Sequence, residues 1–255
     1  MSIESATDWK GLRRIGRIVH LTLEALERHV RAGVTTAELD RVAAGVFARH
    51  GARSAPADVY GFPGTVLISV NSEVVHGIPG QRALASGDVV KLDVTAEKDG
   101  YMADAARTVV VDTGTDAARR LVACATAAFD AGVAVARAGN RVNEIGRAID
   151  REVRRSGFRV VHGLGGHGIG RTIHEPPSVP NEYNSRQRDA LTEGLVLTIE
   201  PIVCAGSPVA VESGDGWTIR TRDGSLAAHH EHTMVITRGR AVILTGGRLT
   251  SGRAA

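Results

Sequence analysis

The chain has 255 residues, 43% of them hydrophobic and 23% charged, which is the balance of a globular protein that can bury a sizeable core. Lys and Arg number 31 against 28 Asp and Glu, and the resulting net charge of +3 is too small to indicate a nucleic-acid partner. No apolar run approaches the ~18 residues that cross a bilayer, and the first residues lack the apolar segment of a signal peptide, so we expect no membrane contact and a cytoplasmic location. Cys124 and Cys204 lie far apart in apolar settings, which favours two buried, reduced thiols over a disulfide.

Two helices are predicted at the start of the chain. Apolar residues recur at steps of three and four from Asp8 to about Val30, namely Leu12, Ile15, Val19, Leu23 and Leu26. After a break at RAG, Thr36 is the predicted N-cap of a second helix, which should run to about His50 and end at Gly51.

The second helix has a counterpart later in the chain. Residues 31–53 align without gaps on residues 137–159, with the helix break, helix start and helix stop at matching positions. This repeat predicts two structural halves, about 1–115 and 116–255, joined near Asp112–Asp116. Because there is only one repeat pair, we expect a single pseudo-symmetric domain over residues 1–255.

Strand-like runs follow each helix pair and predict an α+β chain. In the first half they are VLISVN, DVVKLDVTAE and YMADAARTVVVD, and in the second RVVHGL, TIHEPP, GLVLTIEPIV, GWTIRT, HHEHTMVIT and AVILT.

A glycine-rich stretch, VVHGLGGHGIGRTIHEPP, has the spacing of a dinucleotide-binding loop at Gly163, Gly165 and Gly168. Such a loop needs a helix that begins at the third glycine. Here a β-rich segment follows, and Pro176 and Pro177 block a helix. We therefore reject the dinucleotide interpretation.

Two aspartates lie on a predicted hairpin, KLDVTAEKDGYMADAARTVVV. A two-residue loop at Lys98–Asp99 would place Asp93 opposite Asp104, whereas a loop at Asp99–Gly100 would shift the pairing by two and keep both on one face. Two carboxylates this close repel each other unless one is protonated or a cation lies between them. A solvated pair on an exposed hairpin is the alternative.

Further candidate ligands lie at the ends or middles of apolar strands. Glu200 ends GLVLTIEP, Glu231 lies in HHEHTMVIT, and His167 lies in the glycine-rich stretch. Each acid alone could be a structural salt-bridge partner. Four carboxylates and one imidazole together suit hard divalent ions, and this number predicts two ions that share ligands.

The chain resembles the type I methionine aminopeptidases of the pita-bread metallopeptidase superfamily. The segments that carry the resemblance are SVNSEVVHGIPG, KLDVTAEKDGYMADAARTVVV, GGHGIGRTIHEPPSVPN, TIEP and DGWTIRTRDGSLAAHHEHTMVIT. The resemblance implies the pita-bread (creatinase/aminopeptidase) fold, in which a pseudo-two-fold pair of halves, each of α-helices and antiparallel strands, surrounds a central curved sheet. It also implies the metal ligands, which are Asp93, Asp104, His167, Glu200 and Glu231.

The activity implied is removal of the N-terminal, initiator methionine from nascent polypeptides, with preference for a small second residue. The implied cofactors are two divalent ions, of cobalt, manganese, iron(II) or zinc. Glu200 is then the general base, His174 donates to the carbonyl oxygen, and His76 hydrogen-bonds the scissile amide region. We also expect a monomer that works close to the ribosome.

Two alternatives remain. An X-Pro peptidase of the same fold usually carries an additional N-terminal domain, for which we expect no room in 255 residues. A catalytically inactive binding relative would be expected to have lost ligands, and none is missing here. A type II enzyme is disfavoured because too few residues separate Glu200 from Glu231 for its helical insertion.

The methionine pocket departs from the family pattern. The expected substrate-binding residues are Phe62, Leu67, His76, Ile173, His174 and Trp217. Leu67 and Val75 stand where the family often has cysteine, and Ile173 stands where an aromatic residue is usual. His229 and His230 replace the usual glutamine and aromatic residue, and the YGF stretch at Tyr60 is one residue short of the family pattern.

Overall fold

Five helices and fifteen strands make up residues 1–247, the part of the chain that this computed structural model describes. The helices are α1 (Ala6–His29), α2 (Thr36–His50), α3 (Ala55–Tyr60), α4 (Asp116–Val135) and α5 (Val142–Arg155). The strands up to the second helix pair are β1 (Arg53–Ser54), β2 (Leu67–Val70), β3 (Glu73–Val75), β4 (Val89–Lys98) and β5 (Tyr101–Val110). The later strands are β6 (Arg159–Val160), β7 (Gly165–Gly168), β8 (Glu175–Pro180), β9 (Val196–Ile199), β10 (Ile202–Cys204), β11 (Ala210–Glu212), β12 (Ile219–Thr221), β13 (Ala227–His229), β14 (His232–Val235) and β15 (Val242–Ile243).

The strands form antiparallel sheets that the helices cover. β4 pairs with β5 along its whole length and with β1 and β2 on its other edge. A five-stranded sheet has the order β15-β14-β9-β7-β8, and two three-stranded sheets have the orders β13-β10-β6 and β11-β12-β3. One apolar core lies between α1, α2 and the β4–β5 sheet, and a second lies between α4, α5 and the five-stranded sheet. This mixture of helices and antiparallel sheets confirms the α+β prediction.

The first two helices begin and end for reasons visible in the sequence. All five apolar residues of the predicted α1 stripe are fully buried, and Ser5 caps the helix through its hydroxyl. The predicted cap of α2 was wrong by one residue, because Thr35 and Glu38 form a reciprocal capping box while the Thr36 hydroxyl donates to the Gly80 carbonyl. The end at Gly51 is confirmed, since this glycine has the left-handed φ of 61° that favours glycine.

The sequence repeat corresponds to repeated backbone geometry. Gly33 and Gly139 have φ of 88° and 97°, and each N–H donates to a carbonyl of the segment that follows its helix pair. The isolated bridges Thr35–Ala83 and Arg141–Ala190 also fall at matching positions. Unlike Thr35, the equivalent Arg141 makes no side-chain cap, so the helix start is repeated without its capping chemistry.

The β4–β5 hairpin turns at Asp99–Gly100. Both turn residues have positive φ, 54° and 77°, as the two-residue turn of twisted strands requires. The register therefore pairs Asp93 with Ala106 and Thr95 with Asp104. Direct opposition of the two aspartates is wrong, but both lie on one face, offset by two residues.

Two predicted strands are each broken into two. GLVLTIEPIV forms β9 and β10 with a break at Glu200–Pro201, and HHEHTMVIT ends β13 at His229 and resumes as β14 at His232. Ile199 pairs with His232 in one sheet, and Ile202 pairs with His229 in another. The two segments therefore cross together from one sheet to the other, and Glu200 and Glu231 lie at this crossing.

The remaining expectations concern the glycine-rich stretch, the cysteines and the membrane. Gly168 ends β7, and β8 follows from Glu175 without a helix, so the dinucleotide interpretation lacks its structural context. Cys124 and Cys204 are both free and buried, as predicted. No helix within residues 1–247 is both long and apolar enough to cross a membrane.

Candidate metal centre

All the predicted site residues line one cavity of about 370 Å³. They are the five expected ligands Asp93, Asp104, His167, Glu200 and Glu231, the histidines His76 and His174, and the pocket residues Phe62, Leu67, Ile173 and Trp217. The structure thus brings together residues from the β4–β5 hairpin, the glycine-rich stretch and the crossing between the sheets.

Backbone pairing between β5 and the crossing segment holds the acids in place. Ala106 and Glu231 exchange backbone N–H···O bonds of 2.9 and 3.2 Å. The Thr233 hydroxyl donates to the Asp104 carbonyl and accepts from the Asp104 N–H, both at 2.8 Å. These contacts join two sheets at the point where Asp104 and Glu231 face the cavity.

His167 is held on β7 with one ring nitrogen free for a ligand. Its Nδ1 lies 3.0 Å from the Gly168 carbonyl oxygen, and its Nε2 lies 3.6 Å from Oε1 of Glu200. A Cβ at the preceding Gly166 would lie 2.4 Å from the Thr198 carbonyl oxygen, so only glycine allows β7 to approach β9 this closely.

The acids lack counter-charges in the cavity. Among the described residues that line it, none is lysine or arginine. Burial raises the pKa of Asp93, Asp104 and Glu231, and burial together with the Asp104 charge raises the pKa of Glu200 to about 8. Buried carboxylates in such a group are stable as anions only with cations between them.

The donor atoms fit divalent cations. Oδ1 of Asp93, Oδ1 of Asp104 and Oε1 of Glu231 are buried without a hydrogen-bond partner. One set of donors that lie within 4.8 Å of one another is Asp104, His167 and Glu231, and a second set is Glu200, His229 and Glu231. Oxygen-rich sets with an imidazole suit first-row divalent metals, and Glu231 is common to both sets.

Two histidines that are not in these sets also face the cavity. His174 Nδ1 lies 2.6 Å from the hydroxyl of Tyr60, and the centroid of the His174 ring lies 4.2 Å from that of His167 at an interplanar angle of 58°. Burial lowers the pKa of His174 and of His76, so both rings are neutral near pH 7. His76 has a φ of 60°, and the following Gly77 must be glycine because a Cβ there would lie 2.3 Å from the Ile68 carbonyl oxygen.

Comparison with known proteins gives the family. The sequence profile of metallopeptidase family M24 matches residues 10–238, nearly the whole described chain. The chain belongs to metallopeptidase family M24. It is therefore a metal-dependent peptide hydrolase, a family activity that requires divalent metal ions.

Relatives within the M24 family support the expected resemblance. Methionine aminopeptidase 2 of Bacillus subtilis is 42% identical over 247 residues, which are 96% of this chain and 99% of that protein. The crystal structure of methionine aminopeptidase from Rickettsia prowazekii has a TM-score of 0.92 at 35% identity and covers 96% of this chain and 100% of that one. The predicted resemblance and the pita-bread fold are thereby confirmed.

A more distant solved structure shows the fold alone. Prolidase from Pyrococcus furiosus has a TM-score of 0.78 at 21% identity, and the match covers 96% of this chain but 66% of that one.

The apolar side of this M24 cavity is a pocket with aromatic walls. The rings of Phe62 and Trp217 meet edge to face, with centroids 5.2 Å apart and an interplanar angle of 86°. Leu67 and Ile173 are buried beside them, and Leu67 pairs with Asp93 across β2 and β4. The pocket therefore adjoins the candidate ligands directly.

Sequence reasoning missed or undervalued two residues of this site. Tyr60, where the sequence departs from the family spacing, lines the cavity at the end of the unpredicted helix α3 and contacts His174. A serine cap followed by Pro56 was the available signal for α3. His229 was recognised only as a departure from the family pattern, yet it belongs to a candidate donor set. His162, by contrast, is exposed and does not line the cavity, and its Nε2 lies 3.6 Å from Glu182.

Proposed function

We propose that this M24 protein removes methionine from the N-terminus of peptides and nascent polypeptides and prefers a small second residue. The observation that carries the proposal is a single cavity in which a carboxylate-rich donor set adjoins an apolar pocket of the kind a methionine side chain requires. The names of the relatives at 42% and 35% identity support the same substrate.

Five residues would hold two divalent ions, of cobalt, manganese, iron(II) or zinc, and they are Asp93, Asp104, His167, Glu200 and Glu231. When bound, such ions polarise a carbonyl group and lower the pKa of water, so that a nucleophile is available near neutral pH. Three of these residues have buried oxygens without a partner, which is the state expected of ligand atoms.

The chain's own groups would move the protons and stabilise charge. The carboxylate of Glu200 belongs to the second donor set and lies 3.6 Å from Nε2 of His167 in the first, and there it would take a proton from water and pass it to the leaving amine. The phenol of Tyr60, 2.6 Å from Nδ1 of His174, would donate to this nitrogen, and the resulting tautomer would carry an Nε2–H that donates to the carbonyl oxygen as negative charge develops. His76, which also lines the cavity, would hydrogen-bond the scissile amide region.

The proposal includes the organisation and setting of the enzyme. Residues 1–255 would form one catalytic domain of two halves, about 1–115 and 116–255, consistent with the repeated geometry at Gly33 and Gly139. The protein would act as a monomer in the cytoplasm, close to the ribosome, because nascent N-termini are its proposed substrate.

One assay distinguishes the proposal from its alternatives. The protein is freed of metal by chelation and reloaded with cobalt, manganese, iron(II) or zinc in turn, and each form is given Met-Gly, Met-Leu and X-Pro peptides. We expect no activity after chelation, recovery with metal, and faster cleavage of Met-Gly peptides. Cleavage of X-Pro peptides alone would instead establish a prolidase-type enzyme, and metal binding without hydrolysis would indicate an inactive relative.

The ligands are tested separately from the chemistry. Asp104→Ala and Glu231→Ala should yield folded protein with little metal and no activity, measured by metal analysis and peptide cleavage. Full activity in exhaustively chelated wild-type protein would contradict the metal-dependent mechanism.

A further inference from the structure

His229 is a buried imidazole of the cavity that the proposed ligand set leaves unused. It ends β13 and is 1% exposed, and both of its ring nitrogens are buried without a hydrogen-bond partner. A buried imidazole normally has at least one of its nitrogens paired, so two unpaired nitrogens require an explanation.

The backbone of His229 is fixed on two sides. Its N–H donates to the hydroxyl of Thr108 at 2.8 Å, and its carbonyl accepts from the same hydroxyl at 2.7 Å. On the other edge it pairs with Ile202 of β10. These contacts to two sheets fix the position of the backbone from which the ring enters the cavity.

The ring nitrogen lies beside two of the expected ligands. His229 Nε2 is 3.7 Å from Oε2 of Glu200 and 3.6 Å from Oε2 of Glu231. These distances exceed the roughly 2.7–3.2 Å of an N–H···O hydrogen bond. They agree with donors that share one ion, because two atoms each about 2.1 Å from a metal lie about 3.0 Å apart at a right angle and about 3.6 Å apart at 120°. The expected ligands His167 and Glu200 show the same separation, 3.6 Å.

We infer that His229 is a sixth protein ligand of the dinuclear centre, with Nε2 donating its lone pair to the ion held by Glu200 and Glu231. The inference rests on the proposed metal centre. It gives the centre two imidazoles, His167 and His229, where the family pattern has glutamine in place of the second.

An added imidazole changes which metals the centre favours. Carboxylate oxygens suit manganese and magnesium, whereas imidazole suits zinc, nickel, copper and iron. The His229 side of the centre should therefore bind zinc more tightly, relative to manganese, than a centre with glutamine at this position.

The test compares wild-type protein with His229→Gln, which restores the residue usual in the family at similar volume. His230→Gln is the matched control, since His230 is adjacent but packs against Phe129 and does not line the cavity. Zinc and manganese binding are measured by calorimetry on metal-free protein. X-ray absorption on protein loaded with two equivalents of zinc counts the imidazoles.

We expect His229→Gln to weaken zinc at one of the two sites by at least about 10-fold, the lower end of what even the loss of a group supporting a ligand causes. The binding of manganese should weaken less, and the imidazole count should fall from two per pair of ions to one. His230→Gln should match wild type. Unfolding curves of the metal-free variants show whether a substitution has caused a general loss of structure. If it has, the imidazole count of the wild-type protein still tests the inference.

An imidazole count of one in the wild type, or unchanged zinc affinity in His229→Gln, would overturn the inference. Equal losses for zinc and manganese without a change in the imidazole count would also overturn it, because the ring would then act only through packing. None of these results affects the proposed activity, which fails only if the wild type binds no metal or hydrolyses no methionine peptide.

Discussion

Replacing Glu200 with glutamine should make the metal-free protein more stable at alkaline pH, although Glu200 is the proposed general base. The ordinary pKa of this carboxyl is 4.5, and burial next to Asp104 raises it to about 8. Between these values the folded protein keeps a proton that the unfolded chain releases. The contribution of the group to stability is therefore complete below pH 4.5 and is lost as the pH rises to about 8.

The magnitude follows from linkage. One such group changes the free energy of unfolding by about 1.4 kcal/mol per pH unit, so about 5 kcal/mol is lost across the window from 4.5 to about 8. This is a large share of the roughly 5–15 kcal/mol that stabilises an ordinary domain. Glu200→Gln removes the charge and keeps a side-chain oxygen that can accept the Thr198 hydroxyl.

Urea unfolding of chelated protein, followed by circular dichroism between about pH 5 and about pH 8, measures this effect. The free energy of unfolding of the wild type should fall as the pH rises, and that of Glu200→Gln should fall less steeply. The control Glu193→Gln, at an exposed position, should show the same slope as the wild type. Saturating metal should reverse the wild-type trend, because protons then compete with the ions. Equal slopes in wild type and Glu200→Gln would refute the view that the carboxylates share a dry, uncompensated space.

Three further tests address individual parts of the site. His174→Ala should keep its metal but lose about 100-fold in rate, as expected for one oxyanion donor, and a metal-free variant would contradict its proposed role. Ile173→Phe should weaken the binding of methionine peptides by about 1–3 kcal/mol through overpacking against Leu67, and adding Leu67→Cys should recover much of this loss. If the effects of the two substitutions on the kinetics are simply additive, the two side chains do not contact each other in the pocket. Gly77→Ala should reduce kcat at least about 10-fold and leave metal binding unchanged. The reason is that a Cβ 2.3 Å from the Ile68 carbonyl oxygen must displace the backbone and with it the neighbouring His76. Unchanged kinetics would contradict this close approach.

Local patterns in the sequence were enough to predict the first two helices and the face shared by the two aspartates. The apolar stripe from Leu12 to Leu26 and the helix end at Gly51 depend only on residues that are close in sequence. The alternation of side chains along β4 and β5 places Asp93 and Asp104 on one face for any turn with an even number of residues. The turn itself was ambiguous, because Lys98–Asp99 and Asp99–Gly100 both join the same strands.

Tertiary placement was not predictable in this way. The breaks at Glu200 and at His230–Glu231 arise because two segments leave one sheet together for another, and nothing in either segment alone marks that step. The donor position of His229 depends on the same crossing. The resemblance to the family supplied the ligand set, but it could not supply a role for a residue at which the chain departs from the family.

The expected ligands come from both sides of the exposed connection at Asp112–Thr115, with Asp93 and Asp104 before it and His167, Glu200 and Glu231 after it. Bound ions would therefore act as a cross-link between two stretches of chain that are otherwise joined by one loop and by non-covalent contacts. If a protease cut this loop, the coordination bonds to the ions would still hold the two fragments together. Metal-loaded protein should stay assembled as two fragments after such a cut, and a chelator should favour their separation.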